Sequence, residues 1–234
     1  MINKPRWGLT QIILVYAGIL VIGLLYAGLA MDIVTQWLQS LGIAETGNFL
    51  VSFLVQFIST IGLVYLFAVF LPRGSWRDLG LIGRDGKTYW QYGVGGGALL
   101  IVLIMVMSIP IQYFQPELSP QYFEEMLRTT SDFKEFIIFL LVGSLLGPFS
   151  EELFYRGMIY PVFRRYLGPL WGAVAAGLIF GIVHWDPWRA IPLAAGGMGL
   201  CYLYEKSNSI LVTTVAHGVW NAFMSIMVYL SLNG

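Results

Sequence analysis

FKEFIIFLLVGSLLGPFSEELFYRG, residues 133–157, carries no charged side chain from Phe136 to Ser150 and then places Glu151, Glu152 and Arg156 within two helical turns. A bilayer core is crossed by roughly 20 predominantly apolar residues of helix, and this stretch has that length. An ionisable group at mid-bilayer costs roughly 2.5–3.5 kcal/mol on insertion scales, so each of the three needs a reason to be there.

The remainder of the chain repeats the apolar pattern. Of the 234 residues, 57% are apolar and 11% charged, which excludes a disordered, collagen-like or nucleic-acid-binding chain and argues against a water-soluble enzyme. Lys plus Arg and Asp plus Glu are 13 each, so no net field draws in charged partners. Other spans are read at Leu9–Ala30 (continuing as helix to about Ser40), Phe49–Leu71, Tyr89–Pro110, Leu170–His184, Ile191–Tyr204 and Ile210–Leu232. The expected fold is an all-α polytopic transmembrane bundle, residues 1–234 forming one integral-membrane domain. It has seven spans, or eight if the first region splits, with a short interfacial helix ahead of the fourth.

Lys4, Arg6, Arg73, Arg77, Arg84, Lys87, Arg164, Arg165 and Lys206 fall in alternate loops. The other loops hold Asp32, Glu45 and an acid-rich stretch from Glu117 to Glu135. This alternation places the N-terminus in the cytoplasm of a cell-membrane protein and, with seven spans, the C-terminus outside. Gly28-Leu29-Ala30 looks like a signal-peptide cleavage site, but the preceding apolar run is too long for one and is read as a retained span. Ser119-Pro120 reads as a helix start, with Tyr122, Phe123, Met126 and Leu127 on one face of a helix lying in the interface, a cap or a lid.

Two patterns are discounted. Gly93 to Ala98 fits a dinucleotide fingerprint only superficially, since no strand precedes it; Gly93 and Gly97 read as a close helix contact, as do Ala173, Gly177 and Gly181. The lone Cys201 reads as core filler.

Both histidines of the chain, His184 and His217, fall on apolar segments. Glu151 and Glu152 sit about 100° apart on a helix and face different ways. Glu152 and Arg156, at i, i+4, can pair and neutralise each other, which leaves Glu151 free to face the helices opposite. His217 with Asn221, and Phe180 with His184, share the same spacing. At about 1.5 Å per residue, Glu151 lies about 18 Å from the cytoplasmic end, His217 about 12 Å and His184 about 22 Å, all inside the membrane.

Glu151-Glu152-Leu153-Phe154-Tyr155-Arg156, Phe180-Gly181-Ile182-Val183-His184 and His217-Gly218-Val219-Trp220-Asn221 resemble, in order, the EExxxR, FxxxH and HxxxN motifs of the CAAX-protease and bacteriocin-processing (CPBP, or Abi) family of intramembrane proteases, which includes the type II CAAX prenyl endopeptidases. The resemblance covers about residues 144–225. It implies an endopeptidase cutting a peptide or membrane-protein substrate, prenylated in some members, in or near the bilayer. From the side chains, Glu151 would act as general base on a water held with His184, while His217 and Asn221 donate to the oxyanion. Glu152, Arg156 and Phe180 would support the site. The metal-dependent alternative makes Glu151, His184 and His217 a zinc set. The metal-free version, without a cofactor, is preferred, because H-E-x-x-H is absent and a zinc set would leave Asn221 as the only oxyanion donor. A catalytically silent scaffold or immunity factor on the same fold is the other reading, and a transporter a remoter one, since no internal repeat is found.

Overall fold

The computed structural model describes residues 4–115, 117–130 and 132–233, and these form helices and turns with no strand. Helix α1 spans Leu9–Leu29 and breaks at Ala30, so the expected continuation becomes a separate helix, α2 (Met31–Ser40). Ten residues reach about 15 Å, half of a bilayer core, so the split adds no eighth span. Helix α2 packs on α3 (Ala44–Phe70), where Gly47 leaves room for Leu38: a Cβ there would lie 2.7 Å from Leu38 Cδ2. Helix α3 ends in a wide π turn, Tyr65–Phe70, followed by a short 3₁₀ turn at Trp76–Leu79.

Helix α4, Gly86–Phe114, runs through Pro110 where the sequence suggested an end. The missing proline N–H falls near the C-terminus, and the backbone N–H of Gln115 still reaches Ile111 O, so the final turn survives. Helix α5, Tyr122–Arg128, starts later than Ser119-Pro120 suggested. Ser119 O accepts the Arg189 guanidinium at 3.0 Å, and the chain stays extended to Gln121, which precedes the first turn. Leu127 is buried and Phe123 and Met126 pack on a cluster around Phe49, Phe136 and Phe139, whereas Tyr122 is exposed at the edge of the expected apolar face.

Helix α6, Phe133–Ile182, bends at Gly168, whose φ of 79° and ψ of 174° interrupt the helix ahead of Pro169. Its arms, 133–167 and 169–182, correspond to the fourth and fifth spans. Helices α7 (Pro187–Ser207) and α8 (Ile210–Asn233) complete the bundle, so each of the seven segments has a helix or arm. Five helices, α1, α3, α4, α6 and α8, are long and apolar enough to cross a membrane. They make the chain an integral membrane protein, because such helices satisfy their backbone internally where lipid offers no partner.

The small residues act as close contacts between helices. A Cβ on Gly97 would lie 2.6 Å from Ala216 O of α8, and Gly93 meets Val215. On the second arm of α6, a Cβ on Gly177 or Gly181 would lie 2.7 Å or 2.2 Å from Ala194 O or Ala190 O of α7. Cys201 is part of the buried core.

The two ends of the bundle differ in charge. At one end Arg6 donates to Arg73 O and lies 3.8 Å from Asp78, Arg84 donates to Asn208 O, and Arg164 pairs with Glu205. At the other, Thr46 donates to Glu135, and Arg189 ties the loop before α5 to the start of α7.

Candidate active site

The first arm of α6 carries two wide π turns, Val142–Leu146 and Leu153–Ile159, on either side of a regular turn, Gly147–Glu152. Wide turns expose carbonyls and shift the helix face, and they recur at functional sites. Here the second carboxylate turns inward. Glu152 is fully buried, and its Oε1 accepts from Arg156 Nη1 at 2.8 Å and from His217 Nδ1 at 2.9 Å. Arg156 also donates to Gly197 O of α7 at 3.1 Å and lies over the Phe180 ring, 4.8 Å from its centroid. One guanidinium therefore joins α6 to α7, and one carboxylate joins α6 to α8.

Glu151 faces the other way, with 37% of its side chain exposed, into a cavity of about 640 Å³ that also touches Phe180, His184, His217 and Asn221. Its Oε2 lies 3.9 Å from His217 Nε2, longer than a hydrogen bond. Glu152 fixes the His217 ring from behind, and Phe180 and Trp220 pack against the ring at 5.7 Å and 5.3 Å between centroids. With Nδ1–H given to Glu152, Nε2 is the atom that faces Glu151.

His184 sits just past the last turn of α6. Its Nδ1 lies 2.7 Å from Phe180 O, which as a carbonyl accepts the proton, so Nε2 is again the free ring nitrogen. Trp185 next to it takes a left-handed φ of 55°, and Asp186 caps α7 by accepting from the backbone N–H groups of Trp188 and Arg189. This tight reversal holds His184 at the turn between α6 and α7. No hydrogen bond or ion pair joins it to Glu151 or His217 among the described residues; they meet at the cavity.

Asn221 Nδ2 donates to Gly143 O at 2.9 Å, a carbonyl in the first wide turn of α6, which leaves one of its N–H groups for another acceptor. The approach of α8 to α6 depends on Gly218, where a Cβ would lie 2.2 Å from Ser144 O. Gly143, Gly218 and Trp220 were not singled out in the sequence as site residues. Only the glycine inside HxxxN hinted that two backbones meet there.

As they stand, Glu151, His184 and His217 do not form a metal-ligand cluster, and no group of three His, Cys, Asp or Glu side chains among the described residues does.

Residues 133–223 match the family model described as type II CAAX prenyl endopeptidase Rce1-like. A Bacillus subtilis (strain 168) protein named "Putative membrane peptidase YdiL" is 30% identical over 90 residues, which cover 38% of this chain and 37% of that protein. An "Uncharacterized 24.3 kDa protein" of Escherichia coli is 29% identical over 125 residues, covering 52% of this chain and 55% of its own length. The matches thus span about a third to a half of these relatives, and no solved structure matches. The part of the chain that resembles the Rce1-like CAAX endopeptidases runs from the start of α6 to just beyond Asn221, and all three motifs lie within it.

Proposed function

We propose that the chain is an intramembrane endopeptidase of the CAAX-protease type, with its N-terminus in the cytoplasm of a cell-membrane protein. One observation carries the reading: of two adjacent carboxylates, Glu152 is consumed by Arg156 and His217, while Glu151 faces a cavity lined by both imidazoles. Glu151 takes a proton from a water held with His184 Nε2, and the water oxygen attacks the peptide carbonyl carbon. The free N–H of Asn221, and His217 through Nε2 when doubly protonated, donate to the oxyanion. As the tetrahedral intermediate collapses, the C–N bond breaks and Glu151 returns the proton to the leaving amine. Glu152 positions His217, Arg156 neutralises Glu152, and Phe180 packs between them. No step in this reading runs through a metal.

The test compares membrane and secreted peptides from cells producing the intact chain or Glu151→Gln, with protein amounts matched. Uncut peptides should accumulate with the variant, corresponding to a loss of about 10²–10⁴ in rate. Unchanged cleavage by purified Glu151→Gln would remove Glu151 from the mechanism. A silent scaffold would give identical peptide sets. Activity that survives a strong chelator supports the metal-free version, whereas loss restored by zinc overturns it.

A further inference from the structure

The cavity is one-sided. Its walls are the start of α3 (Phe49, Phe53), the last turns of α4, the loop before α5 and α5 itself, the start of α6 up to Glu151, the end of α6 at Phe180 with His184 just past it, the first two turns of α7, and α8 from His217 onward. Consecutive spans run in opposite directions, and every one of these parts lies toward the end of the bundle that holds Glu117, Glu124 and Glu135. No lining residue comes from 152–179 or 194–216, the parts that lead to Arg164, Arg165 and Lys206. Below the site the bundle is sealed: Leu153, Met158, Ile159, Tyr160 and Tyr204 have 2% exposure or less. The outer wall mixes apolar side chains such as Leu118, Phe123 and Leu127 with the carboxamides of Gln112, Gln115 and Gln121, which reach the cavity and which no other described residue occupies. A carboxamide both donates and accepts, which matches the alternating N–H and C=O groups of an extended peptide.

From this we infer that the substrate enters from the face opposite the basic loops, the non-cytoplasmic face by the distribution of Lys and Arg, and is an extended polypeptide segment exposed there rather than a cytoplasmic C-terminus. The inference rests on the endopeptidase reading for the word substrate, but the access it describes can be tested without catalysis. Cys201 is buried at 1% exposure, so the natural chain offers a silent background for thiol labelling. Single replacements Gln121→Cys and Met224→Cys mark the cavity, and Arg165→Cys and Lys206→Cys mark the basic end. Each is treated in intact and in permeabilised cells with a membrane-impermeant maleimide. The cavity positions should label equally in both, and the basic-end positions should lose their labelling in intact cells. A cavity position that needs permeabilisation, or that never labels, overturns the inference and leaves the endopeptidase reading intact. In the Glu151→Gln peptide comparison, the accumulating uncut segments should be exported or outward-facing; enrichment of cytoplasmic C-termini also overturns it. Equal peptide sets with outward labelling would instead sink the endopeptidase reading and keep the access route.

Discussion

Glu152 has more partners than a helix-surface ion pair would give it: one oxygen takes both the guanidinium and an imidazole, while Oε2 and the Arg156 Nε are buried without a partner among the described residues. Charges this deep are held by each other, so removing one should hurt more than removing both. Arg156→Met should destabilise the protein by about 3–5 kcal/mol, because it strands a buried carboxylate. The pair Glu152→Leu with Arg156→Met should recover most of that loss, since apolar replacement of a buried ion pair is commonly neutral or favourable by about 1–4 kcal/mol. The recovered protein should still be inactive, because His217 has lost the acceptor that fixes its ring. Thermal unfolding in detergent beside a cleavage assay checks both parts, and a double variant as unstable as Arg156→Met would refute the coupling. The Glu152–Arg156 half of this unit could be read from sequence, because i, i+4 on one helix is local geometry. The His217 half could not, because it joins residues 65 apart through a packing that no spacing rule encodes.

At the scale of helices, the site depends on two devices. The first is the close approach of α8 to α6 at Gly218 and Ser144. Gly218→Ala puts a methyl group against backbone that cannot move aside, so it should separate the helices, break the Asn221–Gly143 bond and abolish activity. Gly28→Ala is the control: its Cβ would meet nothing within 4 Å, and alanine in a helix should be neutral or favourable by about 0.5–1 kcal/mol. Equal effects of the two on cleavage and Tm would remove the contact from the account. The second device is the Asp186 cap. Burial alone would push its carboxyl up, but the Arg189 backbone N–H and guanidinium outweigh burial and hold it below the usual carboxylate range. A carboxyl lowered by folding contributes stability that is present above its unfolded pKa, about 3.9, and lost as pH falls through its folded value. Asp186→Ala should therefore cost about 1 kcal/mol at neutral pH, and the gap from the parent should narrow below about pH 4. A Tm difference that stays constant down to acid pH would show that the charge is irrelevant. Asp186-Pro187 was a readable helix start that the apolar run beginning at Ile191 obscured. The break at Ala30 and the passage through Pro110 were not readable, since both depend on how neighbouring segments pack.

For the whole molecule, the question is what solvates the outside of the bundle. Helix α1 is apolar on every face, yet only Ile12 and Val15 are buried along it. Its composition made the membrane assignment legible, because a helix apolar all round yet unburied on most sides can only face lipid. Position along the helix then becomes a measurable variable. Val21 is 52% exposed near the middle of α1 and Leu29 is 73% exposed at its end. In a water-soluble protein both would be surface sites where a charge changes stability by no more than about 0.5 kcal/mol. In a bilayer, Val21→Arg places a guanidinium near the centre, at about 2.5–3.5 kcal/mol on insertion scales. Leu29→Arg reaches the headgroups along its own stem and should be tolerated. The amount of each variant recovered in carbonate-washed membranes should therefore fall sharply for Val21→Arg and stay near the parent for Leu29→Arg, although Leu29 is the more exposed of the two. If both are tolerated, the outer face of α1 is in water; if Leu29→Arg is the worse, exposure rather than depth governs, and the lipid-facing assignment of this helix fails.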